Sequence, residues 1–474
     1  RQAAYRSPDE LLEAQALDPI PRLEKHLLRS GISEAELRLI RVEAEERIQK
    51  AADAARNAPD PQPCFSAKAP LPDCLSRQSF PEPLYGSRDG LTMVEAIREV
   101  LRSHLEKNDK VTLFGEDIED PKGDVFGVTK GLSTQFPGRV RNSPLSESTI
   151  VGKAIGQALA GGRPVAFLQF ADFIPLAFNQ IMNELGSMYW RTDGGWQAPV
   201  IVMIACGGYR PGLGPFHAQT LESIAAHVPG IDVMMPSNAA DAAGLLNAAF
   251  KSNRPTLFFY PKSLLNDRQS TLDADAGEVI VPIGRARITR EGKDLTFVGW
   301  GNTVRLCEQV AETLSEHGFS AEIVDLRTLS PLDEETIQRS AEKTGRIIAV
   351  HEDNRTCGLA AEVLACVSER LKTHVRMTRV TRPDTYVPCN YANQLSILPS
   401  CESILEAAAE LLDFSVEWRT EEEEDASLVF VKALALSPAD EFCIVVELYV
   451  KAGDKVKEGD VIAAVETNKA VAEL

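Results

Sequence analysis

At 474 residues, with 69 acidic against 50 basic side chains and a formal charge of −19, the chain is long enough for two or three domains, each with its own core. That balance, without any Lys/Arg-rich patch, argues against nucleic acid or an anionic membrane as partner, since phosphate neutralisation requires clustered cations. Nine cysteines, odd in number and without CxxC spacing, indicate neither a disulfide framework nor a zinc site and fit a reducing, cytoplasmic setting.

Residues 1–58 are charged, and "DPIPRLEKHLLRSG" (18–31) and "SEAELRLIRVEAEERIQKAADAARNA" (33–58) carry apolar positions at helical spacing, which predicts helices with too little apolar bulk for a core. A Pro-rich linker follows over 59–87, with seven prolines between 59 and 83. In 88–275 the pattern changes: "TMVEAIREVLRSHLEKN" opens on a capping box from Thr92 to Glu95 and puts Val94, Ile97, Leu101 and Leu105 on one face. Strands are predicted at 110–115, 164–170, 199–206, 232–237 and 255–261, separated by helices over 148–160, 174–190, 218–227 and 238–251. Runs that are apolar throughout predict parallel strands covered on both faces, a doubly wound α/β domain. A second α/β domain, 276–413, has predicted strands at 294–301, 320–328, 346–353 and 375–381. An acidic linker, 414–427, contains "EEEED". The last segment, 428–474, alternates short apolar runs with "AGDK" and "EGD" turns and predicts a hairpin at "ETNKA", whose Lys469 is an exposed amine able to carry a long tether. Runs such as "APVIVMIAC" (198–206) are strand-length and too short for a bilayer, and no secretory signal pattern opens the chain.

Ligands of open α/β sheets bind at the carboxyl ends of the strands, which directs attention to three stretches. "NSPLSESTIVGKAIGQALAGG" (142–162) starts a helix at Glu147, as a favourable charge at a helix N-terminus or as a catalytic acid, with Gly152, Gly156 and Ala160 as a small-residue stripe. "LQFADFIPLAFNQI" (168–181) sets Gln169, Phe170 and Phe173 at a strand end, as core or as site. "CGGYRPGLGPFHAQT" (206–220) is a Gly-rich loop whose His217 is either structural or functional. No GxGxxG and no Walker loop is present.

Together these stretches resemble the beta subunit of thiamine diphosphate-dependent 2-oxo acid dehydrogenases, from about 88 to 413, as do "FGEDIEDPKGDVFGVTKGL" (114–132), "AAHVPGIDVMMPS" (225–237) and "IVDLRTLSPLDEETI" (323–337). The first 58 residues resemble the tail of the family's alpha subunit, and 428–474 about half of a lipoyl domain, so the chain looks like part of an alpha-beta fusion. The resemblance implies a pyrimidine-binding domain over 88–275 and a transketolase C-terminal-like domain over 276–413. It implies decarboxylation of a 2-oxo acid, branched-chain favoured by "QFADFI", "FFYPKSLL" and "GRIIAVHED", with the acyl group passed to lipoate on Lys469. Pyruvate- or acetoin-type dehydrogenase, an acyloin-forming transketolase-like ligase and a non-catalytic scaffold are the alternatives.

By the same resemblance Glu147 bonds the cofactor's pyrimidine, Leu145, Gln169 and Phe173 surround it, and His217 assists proton transfer as the lipoyl ring opens, without binding metal. The family's diphosphate and Mg2+ site belongs to an alpha portion whose Gly-Asp-Gly motif is absent here, which implies an alpha-type partner in a homo- or hetero-oligomer. Dihydrolipoyl acyltransferase and dihydrolipoyl dehydrogenase are the further implied partners. Relatives often hold a monovalent cation at the turn that reads "SNRP" (252–255) here, and Arg254 is expected either to stand in the cation's place, donating to backbone carbonyls, or to face solvent without a role.

Overall fold

The computed structural model describes residues 6–60, 62, 65–76, 90–416, 444–451, 454–457, 460–466 and 471–473, in two units, 1–65 and 66–474. The first unit is three helices, Pro8–Ala16, Pro19–Arg29 and Glu34–Asn57. Capping boxes at Ser7/Glu10 and Ser33/Glu36 start the outer two, and none of the three has a buried residue.

In the second unit β1 (Val111–Gly115), β2 (Val140–Asn142), β3 (Arg163–Leu168), β4 (Ile201–Cys206), β5 (Asp232–Met234) and β6 (Thr256–Pro261) come first. They are followed by β7 (Arg287–Arg290), β8 (Leu295–Gly299), β9 (Ala321–Asp325), β10 (Thr328–Ser330), β11 (Arg346–Asn354) and β12 (Arg376–Arg382). A seven-stranded sheet has the order β10-β5-β6-β4-β3-β1-β2, and a five-stranded sheet the order β12-β11-β8-β9-β7. All pairs are parallel except β10 with β5 and β7 with β9. The all-apolar runs are parallel strands, as their composition predicts, whereas β2, β7 and β10 are edge strands of three or four residues, too short to show in periodicity.

One apolar cluster runs without a break from the first sheet, through Val202 and Ile204, to Val298, Trp300 and Val324 of the second domain. The opposite face of the first sheet packs on the helices Met93–Lys107 and Ala239–Lys251, and the outer face of the second on Asn302–Glu316 and Cys401–Leu412. Two expected helices differ. The 174–190 segment is Ile174–Asn179, a wide π turn over Gln180–Leu185 and Met188–Arg191. The 218–227 helix is only Glu222–Ala226, because Leu221 adopts the left-handed conformation at φ 52° and the Gly-rich loop runs up to it.

Part of the Pro-rich stretch is packed. Ala69 and Leu75 are buried, Leu75 joining the cluster around Met93 and Leu272. Lys68 Nζ donates to Asp232 Oδ1 at 3.0 Å and to Ser330 Oγ at 2.8 Å. Near the C-terminus β13 (Ile444–Leu448), β14 (Ala463–Glu466) and β15 (Val471–Glu473) form an antiparallel sheet. Lys469, the 421–425 acidic run and residues 77–89 lie outside the described residues. Among the described residues no helix is long and apolar enough to cross a membrane.

Candidate active site

Four neighbouring parallel strands, β6, β4, β3 and β1, end on one edge of the large sheet, and each hands over to a polar or aromatic residue there. Glu116 and Asp117 follow β1, Gln169 and Phe170 follow β3, the loop with His217 follows β4 and Lys262 follows β6.

Glu147 is the first residue of the helix Glu147–Leu159, where the backbone dipole favours a negative charge. Its carboxylate is half-buried and has no hydrogen-bond partner among the described residues. Glu116 is buried close by, 2% exposed, with Oε1 unpartnered. Burial, then the charges of Glu147 and Asp117, push its carboxyl up to about 7. Glu116 therefore keeps its proton up to near neutrality beside the Glu147 charge. Gln169 Nε2 donates to Asp117 Oδ2 at 2.6 Å, which ties the end of β3 to that of β1 and leaves the Gln169 carbonyl oxygen uncommitted. Leu145 lies in the turn ahead of Glu147 with its side chain 81% exposed.

Phe170 is core, whereas Phe173 is half-buried beside it, edge-on at 5.9 Å between centroids. His217 meets both edge-on, at 4.7 Å from Phe170 and 5.9 Å from Phe173. Beneath the loop, buried Lys262 donates from Nζ to the His217 carbonyl at 2.6 Å and lies 5.0 Å from the Phe170 ring centre. Its burial lowers the ammonium to about 8. The loop turns through positive φ at Gly207, Gly212 and Gly214, where a side chain would be strained. The second domain holds it from the other side. Glu352 accepts from Gly208 N–H at 2.9 Å and from Asn302 Nδ2 at 2.5 Å, Tyr209 donates its hydroxyl to the Pro399 carbonyl at 2.7 Å, and Gln394 donates to the Arg210 carbonyl at 2.8 Å.

Glu147, Gln169, Phe173 and His217 therefore share one sheet edge, linked through Glu116, Asp117 and Phe170. Sequence reasoning missed Glu116 and Lys262. The available signal was a charged residue directly after an all-apolar strand, "LFGE" and "FFYPK".

The expectation for Arg254 is corrected. Its Nε donates to the Ala69 carbonyl at 2.5 Å and its Nη1 is 3.5 Å from Asp232. The Ser252 carbonyl of the turn goes instead to Arg163, at the start of β3, which donates to it at 3.0 Å and also to the carbonyls of Pro199, ahead of β4, and Ala249, in the preceding helix. Arg163 is better placed because β3 lies next to β4, whereas Arg254 is drawn to the buried charge of Asp232.

Residues 89–268 match the family model described as transketolase, pyrimidine binding domain; 284–404 match transketolase, C-terminal domain; and 435–474 match biotin-requiring enzyme. The chain is 38% identical over 329 residues to the pyruvate dehydrogenase E1 component subunit beta of Bacillus subtilis, covering 68% of this chain and 99% of the relative. It is 40% identical over 280 residues to the 2-oxoisovalerate dehydrogenase subunit beta of the same organism, covering 59% of this chain and 84% of the relative. Among solved structures, a split-gene transketolase, described as an inactive beta4 tetramer, superposes with a TM-score of 0.57 at 23% identity, over 69% of this chain and 99% of that one, which shows the shared fold.

Proposed function

This chain belongs to the E1 beta subunits of the pyruvate and 2-oxoisovalerate dehydrogenases, and from that premise we propose that its strand-end cluster is the pyrimidine half of a thiamine diphosphate site serving lipoate on Lys469. The observation that carries the reading is the unpartnered, half-buried Glu147 carboxylate on the same sheet edge as His217 and the Phe170–Phe173 pair.

The residues fit the cofactor's ring. Glu147 would accept from or donate to a pyrimidine nitrogen, Phe173 would pack on the ring face, and Gln169 and Leu145 would flank it. Bound thiamine diphosphate supplies a carbon nucleophile that attacks the 2-oxo carbonyl and takes up the electron pair left by decarboxylation. Glu147 would hold or accept a proton at a nitrogen of the bound ring, and Glu116, protonated near neutrality, limits the negative charge beside it. His217 holds a proton for a sulfur of the lipoyl ring as the disulfide opens, and Lys262 fixes the loop that aims it. Diphosphate and Mg2+ would be bound by an alpha-type portion, and dihydrolipoyl acyltransferase and dihydrolipoyl dehydrogenase would complete the complex. The match over 435–474 favours this reading over an acyloin-forming ligase.

The test is a pair of assays on the chain combined with an alpha-type partner, one with a dye as electron acceptor and one with lipoyl-lysine. Glu147→Gln lowers both rates by about 10²- to 10⁴-fold without changing the melting temperature. His217→Ala slows lipoyl acylation more than dye reduction. Wild-type rates in Glu147→Gln, or equal losses in His217→Ala, overturn these roles. Running 2-oxoisovalerate beside pyruvate identifies the substrate.

A further inference from the structure

The carboxylate of Asp232, at the start of β5, is fully buried. Within the two-domain body its nearest cation is Arg254 Nη1 at 3.5 Å, too far for a hydrogen bond, and the Oδ2 atom has no partner. A sealed carboxylate in that position is costly unless a cation meets it at close range. That cation comes from the Pro-rich stretch. Lys68 reaches in from an extended segment, bonds Asp232 at 3.0 Å and Ser330 Oγ at 2.8 Å, and keeps only 15% of its side chain exposed.

C-terminal to the lysine the segment is fastened again. The Ala69 carbonyl accepts from Arg254 Nε at 2.5 Å. Leu75 closes a turn through its N–H to the Pro72 carbonyl at 2.8 Å and is buried in the core cluster, with Leu71 packed against the same cluster. Prolines at 70 and 72 stiffen the backbone between these points, so less entropy is lost on docking. The receiving residues come from both domains, with Asp232 and Arg254 from the first and Ser330 from the second.

We propose that the slot around Asp232, Arg254 and Ser330 is a docking site for a lysine-bearing, proline-stiffened peptide, occupied here by residues 66–76, and that this noncovalent seat keeps the N-terminal helices assembled with the two-domain body. Residues 77–89 then need not be intact for assembly. On the reading that those helices belong to an alpha-type portion, the seat is what holds that portion to its beta-type body.

The test uses the full chain with a site-specific protease sequence inserted between Leu84 and Ser87. After complete cleavage the wild-type N-terminal piece co-elutes with the body on size exclusion at micromolar concentration, and the amides of 66–76 stay protected from hydrogen exchange. Lys68→Met raises the dissociation constant at least about tenfold, so the piece separates, while the body still melts in one cooperative transition. Asp232→Asn has the same effect, and if that variant does not fold, Lys68→Met alone decides. Separation of the wild-type pieces, or co-elution unchanged in Lys68→Met, overturns the proposal. Neither result depends on activity, so the cofactor reading stands or falls separately.

Discussion

Glu116 carries a prediction of its own. Its carboxyl titrates at about 7 in the folded chain, against 4.5 for an ordinary glutamate. The folded state therefore keeps a proton that the unfolded chain releases, and this group's contribution to stability falls as pH rises through that window. Glu116→Gln preserves the neutral shape, so its melting temperature should fall less steeply between about pH 5 and pH 8 and exceed that of wild type by roughly 3 °C at the alkaline end. Melting curves across that range check it, and an unchanged slope refutes it. Such a residue is hard to find in a sequence, since "GEDIED" reads as a solvated run after a strand. Burial is decided by what lies across the sheet edge, here the helix start at Glu147, which belongs to another part of the chain. Glu147 and His217 were legible for the opposite reason. A helix-opening acid and a histidine in a Gly-rich loop after a strand mark themselves by local pattern.

At the scale of elements, the all-apolar strands and the long amphipathic helices were legible because burial on both faces, or on one stripe, leaves a period in the sequence. Long-range donors leave none. Arg163 reads as the polar flank of a strand, yet its guanidinium is buried and serves the carbonyls of Pro199, Ala249 and Ser252. With that cluster satisfied, thermal stability should be indifferent to exchanging potassium for tetramethylammonium at constant ionic strength. Arg163→Ala removes the guanidinium from the Pro199, Ala249 and Ser252 carbonyls, of which Ala249 keeps the Ser252 N–H, and should cost about 3 kcal/mol, part of which potassium restores by binding the freed oxygens. Melting temperatures in the two salts decide the matter. A potassium-dependent wild type would show that Arg163 does not replace the ion.

For the whole molecule, Lys469 lies in the sequence between β14 and β15, at a position outside the described residues, and is proposed as the lipoyl carrier. Lipoate ligase should add one lipoyl group, lost in Lys469→Arg, as intact-mass analysis will show. On the proposed reading donor site and acceptor share a chain, which would make the local acceptor concentration about millimolar. The rate of reductive acylation per chain should therefore be unchanged on dilution, with the alpha-type partner kept saturating. A rate that falls in proportion to concentration would mean that acylation occurs between chains. The second domain shapes the same sheet edge, since Glu352, Asn302, Pro399 and Gln394 hold the loop that bears His217.

Strand β10 has a consequence for gene shuffling. It follows β9 of the second domain in the chain, yet it completes the first sheet by pairing with β5, and its Ser330 helps seat Lys68. A crossover in the connection between the sheets would join one parent's β5 to the other parent's β10 and break up a strand register and a lysine seat. The exchangeable module is therefore the pair of domains, and hybrids should tolerate exchange outside the two sheets better than exchange between them, since a cut after Ser330 would in turn part β8 from β11.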